Sequence, residues 1–368
     1  MMVKQPLSNL DHPLLSRRRF LIALAGGLGW MLSGFSSQDR GMSGMRSLIL
    51  GRVLMGTMVE IEVNHPDLEI ARQAVTAGFD RMVEVDRLMS IFRPDSEISL
   101  VNRLAAKQRI HVGPDTYAVL AEAERLARLS RGALDITVGP LMKLWSRVAR
   151  QGRLPSRGEL DTALELVGFE GLSLDHSSPG VRVRHPGMAL DLGGIAKGYA
   201  VDVAVETLRE RGVQSGMVNA GGDLRVIGRN RDGGAWRIGL LHPITPRGLL
   251  LSILVEDEGV ATSGNYFNYF TVEGKRYGHI LNPRTGYPSE TILSATAITK
   301  DAMQADGLAT AAMVHRAEEA LELLQNRSGV EGIVVTTLDG HPGKLLVHVT
   351  EGLKGRVELL TASAFLAG

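Results

Sequence analysis

Ala189-Leu190-Asp191-Leu192-Gly193-Gly194-Ile195-Ala196-Lys197-Gly198-Tyr199-Ala200-Val201-Asp202 is the stretch from which the rest of the chain is read. An apolar, strand-like run meets a carboxylate and two adjacent glycines; a lysine, a third glycine and a helical spacing through Val201, Val203, Ala204 and Leu208 follow. Glycine lets a main chain approach a phosphate closely. A helix start adds unpaired N–H groups and a positive dipole end. The pattern fits a backbone-lined nucleotide site, but a tight strand-to-helix turn also demands glycine, so spacing alone leaves both readings open.

On the N-terminal side, alternating Leu48, Leu50, Val53 and then Val59, Ile61, Val63 predict a strand pair around Met55-Gly56-Thr57-Met58. Leu68 to Met89 has a helical period. Ser96 is placed to cap a short helix, and Asp115 to Arg131 reads as a second long helix. Gly132 to Pro140 is a turn into a helix containing Trp145, Arg157 to Val167 a short helix, and Gly180 to Met188 a strand. On the C-terminal side, Gly216 to Asp223 reads as a strand entering a second Gly-rich turn, with strands at Leu224–Ile227, Trp236–Leu240, Leu249–Val255 and Phe267–Val272. Ala261-Thr262-Ser263-Gly264 and His279 to Pro288 read as a third and fourth small-residue turn. Ser294–Thr299, one helix from Asp301 to Leu324, Ile333–Thr337 and Leu345–Val349 complete the pattern. The expected class is α+β, a mixed, mostly antiparallel sheet packed with helices, with residues 45–365 as one domain.

Residues 1–40 are set apart as an export signal and linker. Ser16-Arg17-Arg18-Arg19-Phe20-Leu21 opens an apolar run to about Phe35, which resembles a twin-arginine signal and falls short of the roughly 20 residues of a spanning helix. The expected location is the periplasm or the periplasmic face of a bacterial inner membrane. No strong A-x-A cleavage site is visible, so membrane association through a retained segment is the alternative. Lys and Arg number 41 against 40 Asp and Glu, which gives no electrostatic footprint for nucleic acid. The absence of cysteine excludes disulfides, thiolate metal ligands and a Cys nucleophile.

Asp306 and Thr310 stand four apart in an expected helix, so they share a face. A carboxylate and a hydroxyl so placed can hold a hard divalent cation with main-chain and phosphate oxygens, a sparse ligation that magnesium favours. The same spacing also describes an ordinary solvated face. Asp191 and Asp223 lie in two of the Gly-containing turns. His279 is a candidate general base, and Lys197 is suited to a phosphate or a ring carbonyl. No Gly-x-Ser-x-Gly, His-Glu-x-x-His or Walker-type motif occurs.

Met55-Gly56-Thr57, Met89 to Ser96, Ala133-Leu134-Asp135 with Thr137-Val138-Gly139-Pro140, Asp191 to Asp202, Asn219 to Asp223, Thr262-Ser263-Gly264, His279 to Pro288 and Ala305 to Thr310 together resemble, in order, the blocks of the ApbE family of FAD:protein FMN transferases. The resemblance spans about Leu48 to Met313. It implies that FAD is bound as substrate and that, with Mg2+, FMN is transferred to a Thr or Ser hydroxyl of an acceptor redox protein, releasing AMP. It further implies that Met55, Phe92, Ala133, Leu134, Asp135, Asp191, Lys197 and Ile280 line the flavin nucleotide. Asp306 and Thr310 would bind magnesium through side chains, Gly194 and Ala309 through backbone oxygens, and His279 would be the base beside Asp306. Three positions depart from the pattern. Phe92 stands where tyrosine is frequent and Asn282 where aspartate is common, and Gly194 has no side chain with which to ligate. Two other functions share these residues: a magnesium-dependent FAD pyrophosphatase giving FMN and AMP, and a non-catalytic FAD-binding assembly factor.

Overall fold

The computed structural model describes residues 44–367 except 176, 246–247 and 266–267. The twin-arginine stretch lies outside the described residues. Among them, no helix is long and apolar enough to cross a membrane.

The described residues open with a hairpin, β1 Arg46–Leu54 and β2 Thr57–His65, and then α1 Leu68–Met89. The hairpin turn is only Met55-Gly56, both at positive φ (50° and 74°), the geometry of a tight two-residue connection. Helix α1 starts where the Asp67 carboxylate accepts Glu69 N–H at 2.7 Å and Ile70 N–H at 3.3 Å. Its buried stripe of Ala71, Ala74, Val75, Phe79, Met82, Val85 and Met89 follows the helical period. Next come α2 Glu97–Leu104, capped by Ser96 as expected, β3 Ile110–His111, α3 Pro114–Leu129, α4 Gly139–Gln151 and α5 Arg157–Leu164. β4 Leu172–Asp175, β5 Gly180–Val183 and α6 Ala196–Glu210 follow. The strand expected to reach Met188 stops at Val183, which pairs with Leu172 at the very start of its partner β4; farther on, Gly187 turns the chain with a left-handed φ of 98°.

The remaining elements are mostly strands: β6 Gly216–Ala220, β7 Asp223–Ile227, β8 Trp236–Leu241, β9 Leu249–Val255, β10 Gly259–Gly264, β11 Tyr269–Val272, β12 Lys275–Gly278 and β13 Ser294–Thr299. Then α7 Ala302–Ala312, α8 Ala317–Gln325, β14 Glu331–Thr337, β15 Leu345–Val349, β16 Val357–Leu359 and β17 Ala364–Leu366 complete the chain. The expected helix from Asp301 to Leu324 is thus two. The break falls where Arg316 begins a new N-terminus, its N–H donating to Glu319 Oε2 at 3.2 Å.

Nine strands form the main sheet in the order β1-β2-β6-β7-β10-β13-β14-β15-β17, antiparallel at every step but β15–β17. The class is α+β, as the sequence implies. One face carries α1, α6, α7 and α8 over the largest core, which includes Ile61, Phe79, Ala261, Ala295 and Ala297. The other face, through Leu224, Val226, Val260 and Ile298, packs on the small β16-β9-β8 sheet. With both faces covered, all of β13 is buried. Ala261 to Gly264, expected to be a turn, is the second half of β10 in the middle of this sheet. Its small residues have a packing reason. A methyl group on Gly259 would lie 2.5 Å from Ala302 N, so α7 runs too close to β10 for larger side chains.

A third core, around Trp145, Leu141, Tyr277 and Leu281, docks the 279–288 turn on α4 and α5. Trp145 Nε1–H donates to Gly286 O at 2.6 Å while its ring packs against Phe270, Tyr277 and Tyr287. Trp145→Phe keeps the ring contacts and removes the donor from a buried carbonyl. Urea unfolding should show about 1–3 kcal/mol of lost stability with an unchanged m-value; an unshifted midpoint would show that the Gly286 carbonyl does not depend on Trp145.

Candidate active site

The segment 189–198 is held from three sides. Asn102 serves Leu190 as a strand partner would, donating to its carbonyl at 2.9 Å and accepting its N–H at 2.6 Å. Ala189 bridges Val138 in parallel, and Asp191 N–H donates to Ile136 O at 2.8 Å. The 133–139 loop is therefore the lateral wall of the Gly-rich turn. Within that turn, Asp191 accepts Gly193 N–H at 2.9 Å, and burial pushes its carboxyl above the ordinary carboxylate value despite this bond.

Helix α7 meets the turn from below. A methyl group on Gly194 would lie 2.9 Å from Thr310 Cγ2 and 3.0 Å from its Oγ1, so the Gly194 main chain and Thr310 are in contact. Gly198 N–H donates to Asp306 Oδ2 at 3.1 Å. Asp306 and Thr310, far apart in sequence from the Gly-rich turn, thus stand against it. The free N–H expected at the start of α6 is not free, because the Asp306 carboxylate takes it.

Lys197 donates to Asp223 and lies 3.5 Å from Asp306 Oδ2. Both acids are buried, with side chains 5% and 2% exposed. Burial alone would lower the Lys197 pKa; the charges of Asp223 and Asp306 more than offset this and raise it. Burial first, and then the neighbouring Asp306 charge, push the Asp223 carboxyl up, with Lys197 opposing. With both acids ionised, two carboxylates face one ammonium, an excess of one negative charge. Lys197 is therefore directed at two aspartates, not held out to a phosphate as its place at a helix start suggested.

His279 follows β12 at the rim. Its Nδ1 lies 3.2 Å from Asn268 O, which fixes that nitrogen as the donor and leaves Nε2 to accept a proton. Although the residue is exposed, lost hydration around its ring, with help from the Lys197 charge and against the Asn268 hydrogen bond, lowers its pKa below the ordinary imidazole value of 6.5. Asn282 points away from any base role. Its Oδ1 accepts Arg284 N–H at 2.9 Å and Thr285 N–H at 3.3 Å, closing the Pro-Arg-Thr-Gly turn. Arg284 Nη2 donates to Arg131 O at 2.7 Å and ties this turn to the 131–135 loop.

The other expected nucleotide-lining residues divide into groups. Met55 sits at the hairpin tip, which projects past the Val59–Ala220 pair beside the Gly221-Gly222 turn. Ala133, Leu134 and Ile280 are buried at 2%, 3% and 8% exposure. The Leu134 N–H already donates to Ser130 Oγ at 3.0 Å. Asp135 faces protein: Oδ1 accepts Thr137 N–H at 2.8 Å and its hydroxyl at 2.7 Å, and Oδ2 accepts Phe169 N–H at 2.9 Å. It shapes the loop. Phe92 is 76% exposed and covers nothing. The Ala309 carbonyl accepts Met313 N–H at 3.3 Å at the end of α7.

Two participants were not picked as site residues from the sequence. Asp223 was visible there as an acid in a Gly-rich turn, and it proves to be the principal partner of Lys197. Ser263 Oγ lies 3.3 Å from Thr310 Oγ1; its sequence signals were a run of small residues and its place in the Thr262-Ser263-Gly264 block of the family resemblance. A hollow of about 720 Å³ lined by Arg81, Asp115, Tyr199, Asp202, Val203 and Glu206 lies along α1 and α6 and includes none of the expected site residues. Among the described residues no three His, Cys, Asp or Glu side chains gather as a metal cage. The donors near Asp306 are all hard oxygens, from a carboxylate, hydroxyls and main chain, and the excess negative charge favours a cation. This set fits a sparsely ligated magnesium ion.

The ApbE family model matches residues 55–334. An FAD:protein FMN transferase of Vibrio cholerae is 37% identical over 292 residues, 78% of this chain and 86% of that protein. The flavin transferase ApbE structure from Vibrio cholerae superposes with a TM-score of 0.76 at 33% identity, covering 85% of this chain and 99% of that one. The ApbE protein of Thermotoga maritima gives 0.77 at 32% identity, covering 84% and 99%.

Removing Lys197 would strand two buried carboxylates. Lys197→Met should lower the unfolding free energy by about 3–5 kcal/mol at neutral pH, measured by chemical denaturation; a loss below about 1 kcal/mol, the scale of a surface pair, would show that the cluster is solvated.

Proposed function

The chain belongs to the ApbE family, and from that premise we propose that it is an FAD:protein FMN transferase whose reaction needs magnesium. The observation that carries the reading is the meeting of Gly194 and Gly198 with Thr310 and Asp306. Asp306 and Thr310 hold the ion by side-chain oxygens, with main-chain oxygens of Gly194 and Ala309. When bound, magnesium draws charge from the pyrophosphate and orients an in-line displacement. The protein's own part is positional. The 133–139 loop and the Asp191 turn form the walls against FAD, Met55 and Ile280 close the site, and Lys197 keeps Asp223 and Asp306 together in the core.

The acceptor's Thr or Ser oxygen attacks the phosphorus of the FMN half and forms a phosphoester. The pyrophosphate P–O bond breaks and AMP leaves with the electron pair. The hydroxyl proton passes to His279 Nε2, which is free to accept because Nδ1 donates to Asn268. Residues 45–365 act as one unit. The acceptor is a redox subunit exported to, or membrane-bound at, the periplasmic side, where the N-terminal segment delivers this chain. A pyrophosphatase would use water in place of the hydroxyl and the same residues otherwise; a carrier alone would have no need of the Asp306–Thr310 pair.

The deciding measurement is the mass of a candidate acceptor after incubation with protein, FAD and magnesium. A gain equal to FMN, with AMP released, is expected; FMN and AMP without labelling would favour hydrolysis, and no AMP would sink both. Asp306→Ala should lose metal-dependent turnover while still binding FAD, and unchanged turnover would move the metal elsewhere. The base works neutral and its pKa is lowered, so the rate should hold at pH 7 and decline only as pH falls through a midpoint below 6.5. A pH–rate profile with its acid limb above that value would remove His279 from the role.

A further inference from the structure

Helix α7 carries both Asp306 and Thr310, so whatever fixes its first turn fixes where these two stand against α6. The first four N–H groups of a helix have no partner within it. In α7 those of Ala302, Met303 and Gln304 are all taken by carboxylates. Gln304 N–H donates to the Asp301 carboxylate at 2.9 Å and Ala305 N–H to the Asp301 carbonyl at 3.4 Å. The first two go to another helix: Ala302 N–H donates to Asp202 Oδ1 and Met303 N–H to Asp202 Oδ2, each at 2.8 Å.

Asp202 lies on α6 and is only 9% exposed. Arg225 Nη1 holds it at 3.1 Å and also donates to Glu206 at 3.0 Å, so the carboxylate is anchored from β7. One helical turn earlier on the same face of α6 is Gly198. A methyl group there would lie 2.2 Å from Ala302 O, and its N–H reaches Asp306. Asp202 therefore grips α7 at its cap while Gly198 grips it at the level of the cation ligand. An ionised carboxylate suits this place. It accepts with both oxygens at once and puts negative charge at the positive end of the helix. An amide would accept with one atom only and present N–H to the other donor.

We propose that Asp202 is a positioning residue for the cation site. It acts through the α7 backbone to set Asp306 and Thr310 against Gly194, touching neither FAD nor the ion. The inference rests on the magnesium reading of that site.

The test compares full-length wild type with Asp202→Asn in three measurements: the magnesium concentration that half-saturates FMN transfer, FAD affinity without metal by flavin fluorescence, and deuterium uptake of a peptide covering residues 301–313. The expected result is a half-saturation raised roughly 10–100-fold, the range for residues that support metal ligands at one remove. Metal-free FAD affinity should stay unchanged, turnover should return at high magnesium, and uptake should rise at the start of α7. An unchanged half-saturation in a folded variant overturns the proposal. So does an equal loss of FAD affinity, which would make Asp202 a general structural residue. If the wild type needs no magnesium, it is the proposed cation site that fails, whatever the deuterium uptake shows. Should Asp202→Asn fail to fold, Arg225→Gln is titrated instead, since it replaces the single charged nitrogen, Nη1, that holds both Asp202 and Glu206 with a shorter neutral amide. A shift in the same direction supports the inference, and none overturns it.

Discussion

Two neighbouring carboxylates in a protein interior can both stay ionised only with a cation between them, and the site is organised by that constraint. Asp223 comes from the sheet and Asp306 from α7, while Lys197 comes from the first turn of α6. Each belongs to a different element, so the ion pairs tie sheet and both helices at one point. Removing charge from the interior is costly, and the mutual attraction repays it only when the partners are well placed. With both acids ionised the cluster is one positive charge short of neutral, and burial with the Asp306 charge pushes the Asp223 carboxyl up toward the protonated form. A divalent ion supplied with an anionic substrate would change that balance, which makes ligand binding and the electrostatics of the folded core a single problem.

The close approach that permits this clustering is set by small residues. Gly198 and Gly259 admit the first turn of α7, and Gly194 admits Thr310. Ala261, Ala295 and Ala297 line the sheet beneath the helices. Larger side chains at these positions would lift α7 away from α6 and β10 and open the gap between the acids and Lys197. Packing here decides distances between polar groups, beyond its contribution of buried area. The aromatic cluster around Trp145 does comparable work for the His279 turn, anchoring it through Gly286 so that the histidine is carried on a supported loop.

Much of this was legible in the chain. The period of Leu68 to Met89 set that helix to the residue, and the alternation of Val59, Ile61 and Val63 set an inward face that the structure retains. Asp306 and Thr310 were readable as a helix-face pair because four-residue spacing has one geometric meaning. What was not readable depended on partners distant in sequence. Ala261 to Gly264 has turn composition, and only the proximity of α7 explains why such residues form a central strand. The end of α7 was hidden because sequence rich in Ala, Glu and Leu, good helix formers, resumes within a few residues of it, and the break depends on a new cap at Arg316. Asp135 was expected to line the nucleotide and Asn282 stood where an aspartate is common, yet each spends its side-chain oxygen on local N–H groups, a common use of short acids and amides in turns.

The same accounting changes what the Gly-rich segment is for. Glycines before a helix suggest a cradle of free N–H groups for phosphate. Here Gly193 N–H is held by Asp191 and Gly198 N–H by Asp306, and Lys197 is engaged with two aspartates. Donors already matched to carboxylates make a poor anion site. The acids gathered around the segment, Asp191, Asp223 and Asp306, instead suit a cation better than bare phosphate. On the proposed magnesium reading a dinucleotide pyrophosphate would enter together with a metal ion, while the glycines themselves serve the close packing of α6 and the Gly-rich turn on α7.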